Sequence, residues 1–166
     1  MDADFLDLTP ENLAQEHLCC IIRSKKPHPG VEAKRRWLVD RLPEGHVFRK
    51  LDVKEKVFIE YAPLETAWVP VEGDNYLYLY CLWVAGAYKG KGYGRALIEY
   101  VMEQYRGKGH TMLVGTGDSP LTVPFYQRCG FTEHHRVKNF FLDNYDHPIV
   151  ECGVTLCDMV YLSRPL

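Results

Sequence analysis

Apolar and polar positions along this chain fall into short, distinct patterns, each of which predicts one element. Near the start, "LTPEN" puts a capping residue, Thr9, before Pro10, with Leu8 spaced to staple against Leu13; a helix to about His17 is expected. "LCCIIR", from Leu18, reads as a short buried strand, and "SKKPHPG" as a loop. From Val31 to Leu42 the chain is charged, with a thin apolar stripe through Leu38 and Leu42, which predicts a surface helix. "HVFRKLDV" and "KVFIEYAPL" predict an antiparallel pair joined around residues 54–56. The strongest strand is "YLYLYCLWV", Tyr76 to Val84; a run with so little polar alternation predicts a central strand covered on both faces.

A glycine-rich turn follows, and then a helix from about Arg95 to Tyr105. Leu97 pairs with Val101 and Ile98 with Met102 at helical spacing, leaving Glu99, Glu103 and Gln104 for solvent. "HTMLV" predicts a strand parallel to the central one, reached by a right-handed crossover. The next helix lies within Ser119–Cys129 and starts near Thr122, because Pro124 is tolerated only in a first turn; Gly130 ends it. "FTEHHRVKNFFL" and "VTLCDMVYLSRPL" predict two final strands around a polar loop, "DNYDHPIVECG". The order describes one α/β domain over residues 1–166 with a mixed sheet.

Composition narrows the function classes. The 166 residues are 46% hydrophobic, and 20 basic against 22 acidic side chains give a net charge of -2, so no nucleic-acid coat or membrane surface is indicated. The N-terminal "MDADFLDLTP" is acidic where a secretory signal is basic, and no apolar run approaches the length of a membrane span. Six cysteines, none arranged as CxxC, read as reduced thiols of a cytoplasmic protein.

The turn itself reads Lys89, Gly90, Lys91, Gly92, Tyr93, Gly94, between the central strand and a helix N-terminus. It contains no GxxxxGK[ST] loop. A GxGxxG fingerprint fails in both registers, since the third glycine would fall on Arg95 or Leu97. Successive amide N–H groups in such a turn, with the unsatisfied donors of the following helix, suit a diphosphate. A turn that merely lets the helix pack near the sheet is the structural alternative.

This segment resembles the Arg/Gln-x-x-Gly-x-Gly/Ala motif of the GNAT (GCN5-related) N-acyltransferase family. "VPFYQRCGF", Val123 to Phe131, resembles the family's Tyr-x-x-x-Gly-Phe helix end, with Tyr126, Gly130 and Phe131 in register. A similarity to the bacterial subgroup of YoaP-type proteins accompanies it. The resemblance implies the acyl-CoA N-acyltransferase fold, a mixed, mostly antiparallel sheet of six to seven strands flanked by helices. It also implies acetyl-CoA as acyl donor, with Lys89, Gly90, Lys91, Gly92, Tyr93, Gly94 and Arg95 holding its pyrophosphate. The backbone of Leu82, Trp83 and Val84 would pair with pantetheine and polarise the thioester carbonyl. Ser119, which stands where the family often has asparagine, and Phe125 would lie along the cofactor arm. Tyr126 would be the general acid at the departing sulfur. The implied reaction is direct acetyl transfer to the amine of a small molecule or an exposed amine, by a monomer or homodimer. An acyl-CoA-binding module without turnover is the competing class.

A general base is less apparent, because the central strand contains no acidic group. Glu60, in the otherwise apolar "VFIEYAP", is the first candidate; Glu65, Glu72, Asp118 and a solvent relay are others. Alternation puts Cys81 on the face opposite Tyr80 and Leu82, where it would line the acceptor pocket rather than carry an acyl group. Metal binding is not expected: His134 and His135 would point to opposite faces of a strand, and His147, Cys152 and Cys157 are poorly spaced for zinc. The basic run "KKPHPGVEAKRR" reads as a solvated helix surface, and residues 143–151 as a candidate acceptor lid.

Overall fold

A computed structural model describes residues 4–20, 27–53 and 57–166. Its strands are β1 (Phe5–Asp7), β2 (Val47–Leu51), β3 (Val57–Pro63), β4 (Tyr76–Val84), β5 (Thr111–Gly117), β6 (Thr132–Val137), β7 (Val150–Glu151), β8 (Val154–Thr155) and β9 (Met159–Pro165). The helices are α1 (Pro29–Arg41), α2 (Tyr93–Tyr105), α3 (Thr122–Arg128) and α4 (Phe140–Asn144). Seven strands make one sheet in the order β1-β2-β3-β4-β5-β9-β6, with β7 and β8 forming a separate ribbon. The β4–β5 pair is parallel and every other pair is antiparallel, so the expected mixed sheet with Tyr76–Val84 at its centre is what the chain forms.

Strand alternation sorts the core into two layers. Val57, Ile59 and Tyr61 of β3 join Leu97, Ile98 and Val101 of α2 and Tyr126 and Cys129 of α3 on one face. Phe58 points the other way and stacks on Phe48 at 4.5 Å, under Leu38 of α1 and Leu8, Leu13 and Leu18 of the N-terminal segment. His28 caps α1, its Nδ1 accepting from the Gly30 N–H at 3.1 Å, and Pro29 begins the helix.

Some expectations require correction. Residues 10–15 form turns rather than a helix, although the Leu13 N–H does bond the Thr9 carbonyl at 2.9 Å. The Leu13 carbonyl, which the expected helix would use internally, accepts instead from the Arg35 guanidinium, as does that of Glu16. Leu18–Cys20 join no ladder, and the rest of that expected strand lies outside the described residues. The strand expected through Leu142 stops at Val137, because Asn139 adopts a left-handed φ of 56° and turns the chain into α4; Asp158 Oδ1 accepts the Asn139 N–H at 3.0 Å. The stretch read as an unstructured polar loop contributes β7. It meets β8 across Cys152 and Gly153, both at positive φ (51° and 75°), the twist that suits a two-residue hairpin turn.

Leu38 is the buried side chain of α1. Leu38→Ala should therefore lower stability by about 2–5 kcal/mol in urea unfolding; a loss below about 1 kcal/mol would mean that α1 is held by its polar contacts instead.

Candidate active site

Strand β4 changes character halfway along. Leu77 and Leu79 pack on the α2 side, yet so do Leu82 and Val84, so the parity of the strand flips between them. The flip has a local cause: opposite β3, Glu60 pairs with Cys81 and Tyr61 with Leu79, leaving Tyr80 as the extra residue of a β-bulge. Tyr80 therefore turns to the α1 side, with ring centroids 6.2 Å from Trp37 and 5.1 Å from His46. Cys81 and Trp83 also pack on that side. The expectation for Cys81 thus holds against Leu82 but not against Tyr80, because simple alternation does not survive a bulge.

The same point is where the sheet opens. β4 and β5 pair from Tyr76↔Thr111 to Leu79↔Val114 and no further, although β4 continues to Val84 and β5 to Gly117. Between Tyr80–Val84 and Gly115–Gly117 lies a gap at the C-terminal ends of two parallel strands, the position where open α/β sheets bind ligands. β4 keeps its ladder to β3 as far as Val84, so only its peptide groups on the β5 side are left for another partner.

The glycine turn closes the end of this gap. Gly90 and Gly92 take left-handed φ values of 74° and 83°, which L side chains rarely adopt. Gly94 serves packing instead. A Cβ there would lie 3.1 Å from the Phe125 ring, so its absence lets α3 pack on the first turn of α2. The Ala96 N–H makes the first bond of α2, to Gly92 at 2.9 Å. Among the described residues, the N–H groups of Gly90, Lys91, Gly92, Tyr93, Gly94 and Arg95 donate to no protein acceptor. Consecutive donors at a helix N-terminus, beside the exposed Lys89 and Lys91, fit a diphosphate. The Arg95 side chain is directed elsewhere, donating to the Arg128 carbonyl at 3.1 Å.

Tyr126 comes from α3 and is buried against Phe125 and Phe131. Burial first, then the nearby Cys81, holds its phenol well above the ordinary range. Its hydroxyl has no hydrogen-bond partner among the described residues. Ser119 is buried, and its Oγ accepts from the Leu121 and Thr122 N–H groups at 3.0 and 3.4 Å, so this hydroxyl shapes the entry to α3.

Glu60 lies neither on a wet face nor in the open gap. It is 2% exposed; Oε2 accepts from Lys34 Nζ at 2.6 Å and Oε1 faces His46 Nε2 at 2.9 Å. Lys34 belongs to the basic run, as does Arg35, which binds the N-terminal carbonyls and pairs with Glu32 at 3.5 Å; residues 25 and 26 of that run lie outside the described residues. His134 and His135 also depart from expectation. A ladder irregularity between Glu133 and His135 brings their Nδ1 atoms to 2.7 Å. Among the described residues, no group of His, Cys, Asp and Glu is disposed to hold a metal, and no helix is long and apolar enough to cross a membrane. A cleft of about 640 Å³ lined by Arg41, Glu44, Glu65 and Trp68 lies by the β3–β4 connection, at the opposite end of β4 from the glycine turn.

The parted strands, the donor-rich turn and the buried tyrosine belong to a recognisable class. Residues 11–131 match the acetyltransferase (GNAT) family, and the chain belongs to that family. It is 33% identical over 142 residues to a Bacillus subtilis protein described as the uncharacterized N-acetyltransferase YoaP, covering 82% of this chain but 57% of that relative. Among solved structures it resembles a GNAT family acetyltransferase from Elizabethkingia anophelis with acetyl-CoA bound, with TM-score 0.64, 22% identity and 99% of each chain covered. It also resembles a Bacillus subtilis acetyltransferase in complex with CoA, with TM-score 0.62, 21% identity and 86% and 95% covered.

Removing one member of a buried ionic cluster leaves its partners uncompensated. Glu60→Ala should cost about 3 kcal/mol by urea unfolding; a cost under about 1 kcal/mol would show that Lys34 and His46 find water or new partners in the folded state.

Proposed function

We propose that this chain is an acetyl-CoA-dependent N-acetyltransferase that transfers acetyl directly to the amine of a small molecule or an exposed amine group. One observation carries the reading: a parallel strand pair parts at a bulge and leads into a turn whose six successive N–H groups have no protein acceptor among the described residues. These donors match a diphosphate, and the unpaired edge of Leu82–Val84 matches an extended amide-bearing arm. When bound, the cofactor supplies an activated acetyl thioester. The family membership and the CoA-bound structural relatives support the same cofactor. A YoaP-type subgroup assignment belongs to this proposal as well.

In this reading the turn from Lys89 to Arg95 binds through its main chain, and Lys89 and Lys91 add attraction for the anionic ligand. Phe125 packs the base of the turn, while Ser119 fixes the start of α3 and hence the position of Tyr126. Tyr126 holds its proton at Oη and delivers it to the departing sulfur. Its raised pKa keeps the phenol protonated across the neutral and alkaline range, so an alkaline fall in rate should not coincide with an ordinary tyrosine titration. The Cys81 thiol is pushed far up, by its bond to Cys20 first and burial second, which favours direct transfer over an acyl-cysteine. Glu60 stands in register with Cys81, and service as a base requires His46 or Lys34 to release one of its oxygens. That occupied carboxylate is the observation favouring the second reading, a CoA-binding module without turnover. Thiol release across a panel of amines separates the two: release above the hydrolysis background supports the transferase, and none across the panel supports the module.

Two variants test the assignments. Aspartate tolerates left-handed backbone better than most residues, so Gly92→Asp should fold yet bind CoA at least about tenfold more weakly, the equivalent of roughly 1.4 kcal/mol. Undiminished affinity by calorimetry would remove the turn from the cofactor site. Tyr126→Phe should cut turnover about a hundredfold while leaving CoA affinity within a few-fold; an unchanged rate would end its role as acid.

A further inference from the structure

The cleft of about 640 Å³ by the β3–β4 connection takes no part in the proposed cofactor site. Its walls are Arg41 and Glu44, at and just past the end of α1, and residues 65–70 of the connection. The charges there are unequal. Arg41 is matched by Glu44, Nη1 to Oε2 at 2.8 Å, and its Nε is buried without a partner, so it offers the cleft no unmatched charge. Glu65 has no cationic partner among the described residues. Its Oε1 accepts the N–H of Asn75, at 3.1 Å, and Oε2 is left open to a ligand. On the same wall Trp68 holds its indole 78% exposed, a large aromatic face with nothing packed over it. A carboxylate without a counter-ion and an open indole are the two groups that recognise an organic ammonium, one by charge and the other by its electron-rich ring.

The cleft is also tied to the bulge. The Trp68 N–H donates to Tyr80 Oη at 3.0 Å, and Tyr80 is the extra residue of β4. The Tyr80 ring lies 5.1 Å from that of His46, whose Nε2 faces Glu60 and whose N–H donates to the Arg41 carbonyl at 3.3 Å. Cleft wall, Tyr80 and the buried cluster are thus in continuous contact. One tyrosine side chain spans from the wall to the backbone of the bulge, a length that a short alkyl chain between two nitrogens covers. We propose that the cleft holds the non-reacting ammonium of an aliphatic diamine, with Glu65 pairing it and Trp68 covering it, while the second nitrogen reaches the bulge past Tyr80. A carboxylate at the far end of the ligand would be repelled by Glu65, and a plain alkyl end would gain only the Trp68 surface. That the captured diamine is the acetyl acceptor rests on the acyltransferase reading; its capture in the cleft does not.

Calorimetric titration of the full chain with excess CoA compares pentylamine, cadaverine and ω-aminovalerate, which differ only at the far end of the chain. An ion pair at an exposed carboxylate and a cation–π contact are each worth a few-fold in affinity, so cadaverine is expected to bind at least about threefold more tightly than either of the others. The preference should shrink in high salt. A smaller preference, or tightest binding of ω-aminovalerate through Arg41, overturns the proposal. Glu65→Gln keeps an oxygen for the Asn75 N–H and loses only the charge. It should reduce the preference for cadaverine over pentylamine to below about twofold, the loss expected of one exposed ion pair; a preference that persists above that overturns the proposal as well. With acetyl-CoA present, KM should be lowest for cadaverine, and Glu65→Gln should raise it towards the value for pentylamine. Thiol release without any preference for cadaverine overturns the cleft assignment alone. Selective cadaverine binding without thiol release from any amine ends the acyltransferase reading and leaves the cleft assignment standing.

Discussion

The bulge at Tyr80 is the constraint on which the rest of the molecule depends. One extra residue in β4 flips the strand's parity and turns its second half away from β5. Before the bulge, β4 is an ordinary central strand, hydrogen-bonded on both edges. Beyond it, β3 alone holds the strand, and the peptide groups facing β5 have no protein partner in the ladder. Unpaired backbone in a sheet interior is costly unless something else satisfies it. The molecule therefore carries a slot through the middle of its sheet, held open by packing on both faces: Leu82 and Val84 against the α2 layer, Cys81 and Trp83 against the α1 layer.

The glycine turn completes the slot through two separate demands. Gly90 and Gly92 are needed for backbone angles, whereas Gly94 is needed for space beside Phe125. This division bears on the alternatives that the residues alone leave open. The turn does let a helix pack closely, and Gly94 is the glycine that permits it. The other two orient a row of donors that no described protein group takes up. Close packing and donor orientation are thus divided among neighbouring glycines rather than competing for one.

Much of this was legible in the residues. The limits of β4 follow from an unbroken apolar run, α2 from its paired apolar positions, and the family from the spacing of Lys89–Gly94 and Tyr126–Phe131. The bulge was not legible, because "YLYLYCLWV" has no polar beat whose interruption would reveal a slip in register. The partners of Glu60 were also hidden: Lys34 and His46 lie 26 and 14 residues away in sequence, and only the docking of α1 over β3 brings them together. β1 is three residues long and carries no pattern of its own; its existence comes from pairing with β2. Where the N-terminal helix was expected, a tertiary contact stands instead: Arg35 takes the Leu13 carbonyl that local helical bonding would have used.

Tyr126 and Cys81 belong to different core layers, yet Cys81 is among the groups that raise the Tyr126 phenol. Two side chains on opposite faces of an intact sheet would be separated by its backbone. Tyr126 approaches from the α2 and α3 layer. The Glu60, His46 and Lys34 cluster and Cys81 approach from the α1 layer. A reaction at the bulge would consequently have its proton donor on one side and its charged cluster on the other. The sheet lies between the layer that holds Tyr126 and the layer that holds the charged cluster.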